Sequence, residues 1–333
     1  MKLGLVGARG HWNYVFEALP KLPHVQVVAI CPGYAGEDVT CLEHAAGKHG
    51  APPRSYQDFP SLLAGASVDA LSICGPFERH ASMCMAAFKR GIHVFCEKPA
   101  ALTLEDLDQM RSVHAGSGVH FATMMGLRFD PAFMTAWQLV HDGAIGIVRL
   151  LSARKSYKLG QRPDYYRDRN IYGGTIPWVG SHAVDWIYWF SGNAAFRSVS
   201  ALHSRNHNAS LGDCEITAVL QFAMDQEMLA TATLDYLRPT AAATHGDDHI
   251  RVAGTDGIIH VQDSAVKLLT SKGEQSIPLQ ESPSVFEDFV RNVEHPDQAI
   301  LRSDDVWSVT EACLLARQAA DEHSMIPFPS RAG

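Results

Sequence analysis

The sequence predicts an α/β protein of two domains: an N-terminal doubly wound parallel sheet, then a C-terminal α+β domain with a large, mostly antiparallel open sheet. Three observations predict it. Across residues 1–124 short apolar runs alternate with helical patterns, the rhythm of a parallel sheet covered by helices through right-handed crossovers. After about residue 125 apolar runs follow one another with few helices between them, as antiparallel strands do. The length, 333 residues, exceeds what one core of ordinary size organises, so the expected domains are 1–124 and 125–333.

Each element follows from local pattern. Lys2–Val6, Val25–Ile30, Ala70–Ile73, His93–Cys96 and His120–Thr123 are rich in Val, Ile and Leu and read as buried parallel strands. Thr103, with Asp106 three residues on, is a helix N-cap. Leu104, Leu107 and Met110 line one face of that helix, which ends near Gly116-Ser117-Gly118. In the second domain Ile147–Tyr157, Phe196–His203, Glu215–Phe222, Met228–Tyr236, Ile250–Val252 and Gly257–Val261 are the expected strands, and Ser181–Phe190 and Asp304–Glu322 the expected helices.

Composition narrows the function. Apolar residues are 46% and charged residues 19% of the chain, an ordinary globular balance. A formal charge of −8 gives no basic footprint for nucleic acid or an anionic membrane. No apolar run approaches the roughly 20 residues that span a bilayer. The N-terminus enters a strand directly, with no signal peptide, so the expected location is cytoplasmic. Seven scattered cysteines without a C-x-x-C pair read as buried thiols, not as a disulfide framework.

The turn Gly7-Ala8-Arg9-Gly10-His11-Trp12 joins the first strand to a helical stretch. A dinucleotide site needs glycine here, because the backbone must approach a pyrophosphate at the helix N-terminus. The spacing departs from G-x-G-x-x-G, with Arg9 and Trp12 at the second and third glycine positions. All six residues are cofactor-binding candidates of a Rossmann domain. The second strand runs into Pro32-Gly33. Pro32 is neither an acid for a ribose nor a base for a 2′-phosphate, and Arg9 could meet a phosphate, so the expected cofactor is NAD or NADP.

At His93-Val94-Phe95-Cys96-Glu97-Lys98-Pro99 the chain resembles the Gfo/Idh/MocA family of oxidoreductases. Gly75-Pro76-Phe77-Glu78-Arg79-His80, Arg128-Phe129-Asp130-Pro131, Asp142-Gly143-Ala144-Ile145-Gly146, Gly173-Gly174, Gly180-Ser181-His182-Ala183-Val184-Asp185 and Arg251-Val252-Ala253-Gly254-Thr255-Asp256-Gly257 extend the resemblance over nearly the whole chain. The resemblance implies Pro76, His80, Glu97, Lys98 and Arg128 as further cofactor contacts. It also implies two catalytic residues. Lys98, at the carboxyl end of a parallel strand, would polarise a substrate oxygen during hydride transfer. His182 would exchange the hydroxyl proton, its imidazole titrating near working pH. The usual aspartate four positions before that histidine is Trp178 here, so Asp185 is the remaining candidate to orient the ring.

Lys155 and Tyr157 alternate onto one strand face. With Tyr166 in a polar, aromatic loop, His245, Asp185 and Trp178, they are the substrate candidates. His203 and His207 have i,i+4 spacing but lie in a strand end and loop, and no metal motif is present, so no metal is expected. The implied function is an NAD(P)-dependent dehydrogenase or reductase, passing a hydride between nicotinamide and a secondary alcohol or ketone of a sugar, polyol or similar polar metabolite. Two other functions fit the same residues: an NAD-dependent glycoside hydrolase working by transient oxidation, and a non-catalytic dinucleotide or sugar sensor. The expected partners are a small polar substrate and the chain itself, as a homodimer or homotetramer.

Overall fold

A computed structural model describes residues 1–206 and 210–329. The chain divides into unit 1, Met1–Met124 with Pro283–Trp307, and unit 2, Met125–Ser282 with the chain from Ser308 onward.

Unit 1 is built on a parallel sheet of six strands: β1 (Lys2–Val6), β2 (Gln26–Cys31), β3 (Arg54–Ser55), β4 (Ala70–Ile73), β5 (His93–Cys96) and β6 (Phe121–Thr123), in the order β3-β2-β1-β4-β5-β6. The chain winds outward from β1 in both directions, so a crevice opens at the strand carboxyl ends where β1 meets β4. Five helices connect the strands: α1 (Asn13–Ala18), α2 (Thr40–Ala46), α3 (Phe59–Gly65), α4 (His80–Phe88) and α5 (Leu104–Ala115). The Thr103 side chain caps α5 by accepting from Asp106 N at 3.0 Å, as its sequence predicts. β3 escapes sequence pattern because its two residues are exposed at the sheet edge and bury no apolar side chain.

Unit 2 carries a nine-stranded sheet. Its strands are β7 (Val148–Tyr157), β8 (Phe196–Ser204), β9 (Thr217–Met224), β10 (Leu229–Asp235), β11 (Gly246–Gly254), β12 (Gly257–Gln262), β13 (Ala265–Thr270), β14 (Gly273–Ile277) and β15 (Ile326–Pro327). The order is β14-β13-β12-β11-β7-β10-β9-β8-β15. Among the described residues of this sheet, β7 and β10 form the one parallel pair. One face is apolar and buried, with Leu151, Ala153, Ala232, Leu220 and Val252. Against it lie α6 (Pro131–His141) and α8 (Ser181–Phe190), with the single turn α7 (Arg169–Tyr172) before α8. All ten residues of α8 are buried.

The remaining helices are α9 (Val285–Glu294) and α10 (Ser303–Glu322). The sequence places 283–307 in the second domain; it packs in unit 1 instead. The reason is long-range burial. The Ser284–Glu287 capping box starts α9, and Phe286 and Phe289 come within 5.3 Å of the Phe95 ring of β5. Asp288 then accepts from Ile300 N and Leu301 N at 3.0 Å, and Trp307 stacks on Phe121 at 4.7 Å. Each such buried aromatic or aliphatic side chain contributes roughly 1.5–3 kcal/mol.

Candidate active site

In unit 1 the loops after β1, β2, β4 and β5 meet at the strand carboxyl ends. Gly7 has φ +73°, and a Cβ there would lie 2.6 Å from the Cys74 carbonyl oxygen. Glycine is therefore required for the β1 and β4 loops to approach. Gly10, at φ +77°, faces the Glu97 carboxylate so closely that a Cβ would collide with it.

Glu97 is the hub of this region. It is fully buried, and its Oε2 accepts from the His11 backbone N–H at 2.6 Å and pairs with His11 Nδ1 at 2.7 Å. Its Oε1 accepts from the Lys98 backbone N–H at 2.9 Å. Burial alone would raise its pKa. The His11 charge and hydrogen bonds, with the Lys98 charge, outweigh that and hold the carboxyl below its usual range. Lys98 itself is 1% exposed, and its bond to Pro99 is cis.

The other unit 1 candidates take distinct places. Ala8 N–H donates to Glu37 Oε1 at 3.1 Å, and Gly33 N–H donates to Glu37 Oε2 at 2.6 Å. The Arg9 guanidinium lies 4.7 Å over the Tyr34 ring. Trp12 precedes α1 and meets Phe16 edge-on, and Pro76 precedes the short turn Phe77–Arg79. His80 is fully buried, with Nδ1 2.9 Å from the Pro99 carbonyl and Nε2 3.1 Å from the Gly75 carbonyl. Burial lowers its pKa, with the two carbonyls pulling the other way, and the ring is wedged between the loops after β4 and β5. Beside these residues a cleft of about 750 Å³ is lined by Gly33, Tyr34, Asp58, Arg79 and Met83. Close-approach glycines and an adjoining cleft beside the switch point fit a dinucleotide. Sequence reading missed Glu37 and Tyr34; an acid six residues beyond the end of β2 carries no motif.

In unit 2, His182 sits buried in the first turn of α8. A π-helical segment, Ile176–Gly180, leads into it; such turns recur at functional sites. A Cβ at Gly180 would lie 2.7 Å from Leu234 Cδ1, so glycine lets this segment press on β10. The two turns upstream are anchored by Glu215, which is buried. It accepts from Tyr172 Oη at 3.0 Å and Thr175 N at 2.8 Å, and pairs with Arg169 Nε at 3.0 Å. No sequence motif marks Glu215 or Arg169.

Asp185, expected to orient the His182 ring, makes a two-point ion pair with Arg128, through Nε at 3.2 Å and through Nη2. Arg128 is fully buried and lies 5.2 Å from the Trp189 ring. The candidate cofactor arginine thus braces α8 from within unit 2.

Lys155 and Tyr157 share a face, as alternation predicts. Lys155 Nζ lies 4.4 Å over the Tyr157 ring and 5.6 Å from the Trp186 ring, and pairs with Asp248 of β11. Burial lowers the Lys155 pKa to about 8, although Asp248 draws it up. The Asp248 carboxyl is raised, burial again outweighing Lys155. Both partners move toward neutrality, so desolvation exceeds their attraction. Trp178 meets Tyr166 edge-on at 5.9 Å, and His245 lies 5.1 Å from Tyr157. His203 faces Asp321 at 3.4 Å, while His207 lies outside the described residues. Among the described residues no three His, Cys, Asp or Glu side chains group as metal ligands, and no helix is long and apolar enough to cross a membrane.

Family models match both parts of the chain. The oxidoreductase family, NAD-binding Rossmann fold, covers residues 1–124, and the GFO/IDH/MocA C-terminal domain covers residues 133–260. The chain belongs to the Gfo/Idh/MocA family of oxidoreductases. As a member it is an NAD-binding enzyme of the dehydrogenase type. It is 24% identical over 289 residues to the inositol 2-dehydrogenase of Rhizobium meliloti, spanning 84% of this chain and 82% of that one. Among solved structures, a putative oxidoreductase from Thermotoga maritima matches with TM-score 0.93 and 41% identity, covering 98% of this chain and all of that one. Levoglucosan dehydrogenase, solved with NADH and levoglucosan, matches with TM-score 0.83 at 17% identity over 99% of each chain, a likeness of fold.

Proposed function

We propose that this family member oxidises a secondary alcohol of a sugar, polyol or related polar metabolite, or runs the reverse reduction. Bound nicotinamide supplies the hydride acceptor or donor. Lys98 donates a hydrogen bond to the reacting oxygen and stabilises the charge that develops there. His182 exchanges the hydroxyl proton. The observation that carries the reading is Glu97, whose one carboxylate ties the glycine loop at His11 to the backbone of Lys98. Cofactor loop and reactive lysine are thus held in one register. Calorimetry with NAD⁺, NADH, NADP⁺ and NADPH, followed by a polyol and sugar screen at the nicotinamide absorbance band, tests it. Failure to bind any of the four overturns it.

NAD is the proposed cofactor. The Glu37 carboxylate, anchored on Gly33 N and Ala8 N, puts negative charge beside the end of β2, where a 2′-phosphate would be repelled. Glu37→Ala is expected to cut the NAD over NADP affinity ratio about tenfold; an unchanged ratio places discrimination elsewhere.

Self-association is proposed through the open face of the large sheet. Leu202 pairs with Val219, and Leu150 with Leu229, in the sheet register. All four point to one face, where they are 62%, 44%, 39% and 56% exposed respectively, the apolar display that a second copy of this chain would cover. Leu202→Glu combined with Leu229→Glu should reduce the mass in light scattering to that of a monomer. An unchanged mass excludes this face.

A further inference from the structure

We infer that the aromatic and cationic side chains gathered around Arg162 take a substrate bearing a carboxylate, gripped by Arg162. The inference rests on the dehydrogenase reading and narrows its substrate class. Trp178 and Trp186 lie about one turn before and one turn after His182. Trp178 meets Tyr166 edge-on at 5.9 Å, and Trp186 lies 5.6 Å from Lys155 Nζ.

Arg162 is the centre of that cluster. Its guanidinium lies 4.6 Å over the Tyr236 ring and 5.4 Å over the Tyr166 ring. Its recorded hydrogen bond is from Nη2 to the Lys158 carbonyl at 3.4 Å. Its Nε is shielded from solvent and has no hydrogen-bond partner among the described residues. Three other cations of unit 2 are matched with acids: Arg154 with Asp247 at 2.9 Å, Lys155 with Asp248, and Arg169 with Glu215 at 3.0 Å. Among the described residues Arg162 stands in no such ion pair. Lys158 and His245 flank it, and the cations Arg162, Lys155 and Lys158 all act on His245, whose pKa burial and those charges lower.

Trp178 borders the same platform. Its neutral indole packs edge-on against Tyr166, whose face carries Arg162. The indole thus extends the aromatic platform on which the guanidinium lies. A stacked, pre-oriented fork lacking a carboxylate partner matches the two oxygens of a carboxylate.

Matched pairs test the inference on the full chain with NADH bound: glucuronate against glucose and gluconate against glucitol, by calorimetry, with glucose 6-phosphate as a third anionic probe. The acid of each pair is expected to bind about tenfold or more tightly. That preference should shrink as salt is raised. Arg162→Gln should bring the ratio close to one, Arg162→Lys should restore part of it, and Lys158→Gln should lower it with less risk to the fold. Equal binding within pairs, an unchanged ratio in both Arg162→Gln and Lys158→Gln, or a preference for the phosphate overturns the inference. Arg162-dependent glucuronate binding without turnover of any compound would sustain it while sinking the dehydrogenase reading. Turnover of neutral sugars without acid preference would do the reverse.

Discussion

Lys98→Met is expected to lower kcat about 10³-fold, the loss seen when one donor to a developing oxyanion is removed, while NAD affinity changes little. The split follows from how the site is held. Glu97 reaches the glycine loop through the backbone N–H and ring of His11, and reaches residue 98 through its backbone N–H. None of these bonds uses the lysine side chain. Methionine keeps most of the buried volume, so the loop and its cofactor register should survive, and the change should fall on chemistry. Steady-state kinetics with parallel NAD⁺ calorimetry read the two effects separately. Activity within tenfold of the parent would remove Lys98 from the reaction. A large loss of NAD affinity would instead make it a cofactor-holding residue.

What the sequence revealed about this site, and what it hid, has a physical pattern. Residues whose role is local were legible: Thr103 caps its own helix, alternation along β7 puts Lys155 beside Tyr157, and the Glu97-Lys98-Pro99 motif follows a buried strand. Roles set by distant partners were not. Asp185 makes its two-point ion pair with Arg128, 57 residues earlier, a partner that no local spacing reveals. The segment 283–307 returns to unit 1 because Phe286 and Phe289 find Phe95, a contact that no local periodicity encodes. Exposed edges were hidden for another reason. β14 shows almost no burial, so its Glu, Gln and Ser residues lack the alternation that marks a strand. Glu37 acts through backbone amides of Ala8 and Gly33, which leave no trace in side-chain identity.

Breaking the Lys155–Asp248 pair should destabilise the protein by about 3–5 kcal/mol, and breaking it from both sides should cost much less. Lys155 is 1% exposed, whereas Asp248 retains partial access to solvent. Lys155→Met therefore leaves a half-buried carboxylate without its cation, and the expected cost lies at the lower end. Lys155→Met with Asp248→Asn removes both charges and should recover most of the loss, a coupling that urea melts of the four proteins measure directly. Additive losses would show that packing and not charge dominates the site. The same lysine sets a pH signature. Burial takes its pKa from an ordinary 10.5 to about 8, so between those values the unfolded chain binds more protons than the folded one. Stability should then rise with pH across that window, by about 3 kcal/mol at most. Asp248 works in a separate range: its folded pKa is raised, so its contribution is present at low pH and lost as pH climbs through the acid region. Lys155→Met should abolish the alkaline rise and leave the acid limb. A rise that persists in the variant would assign it to another group.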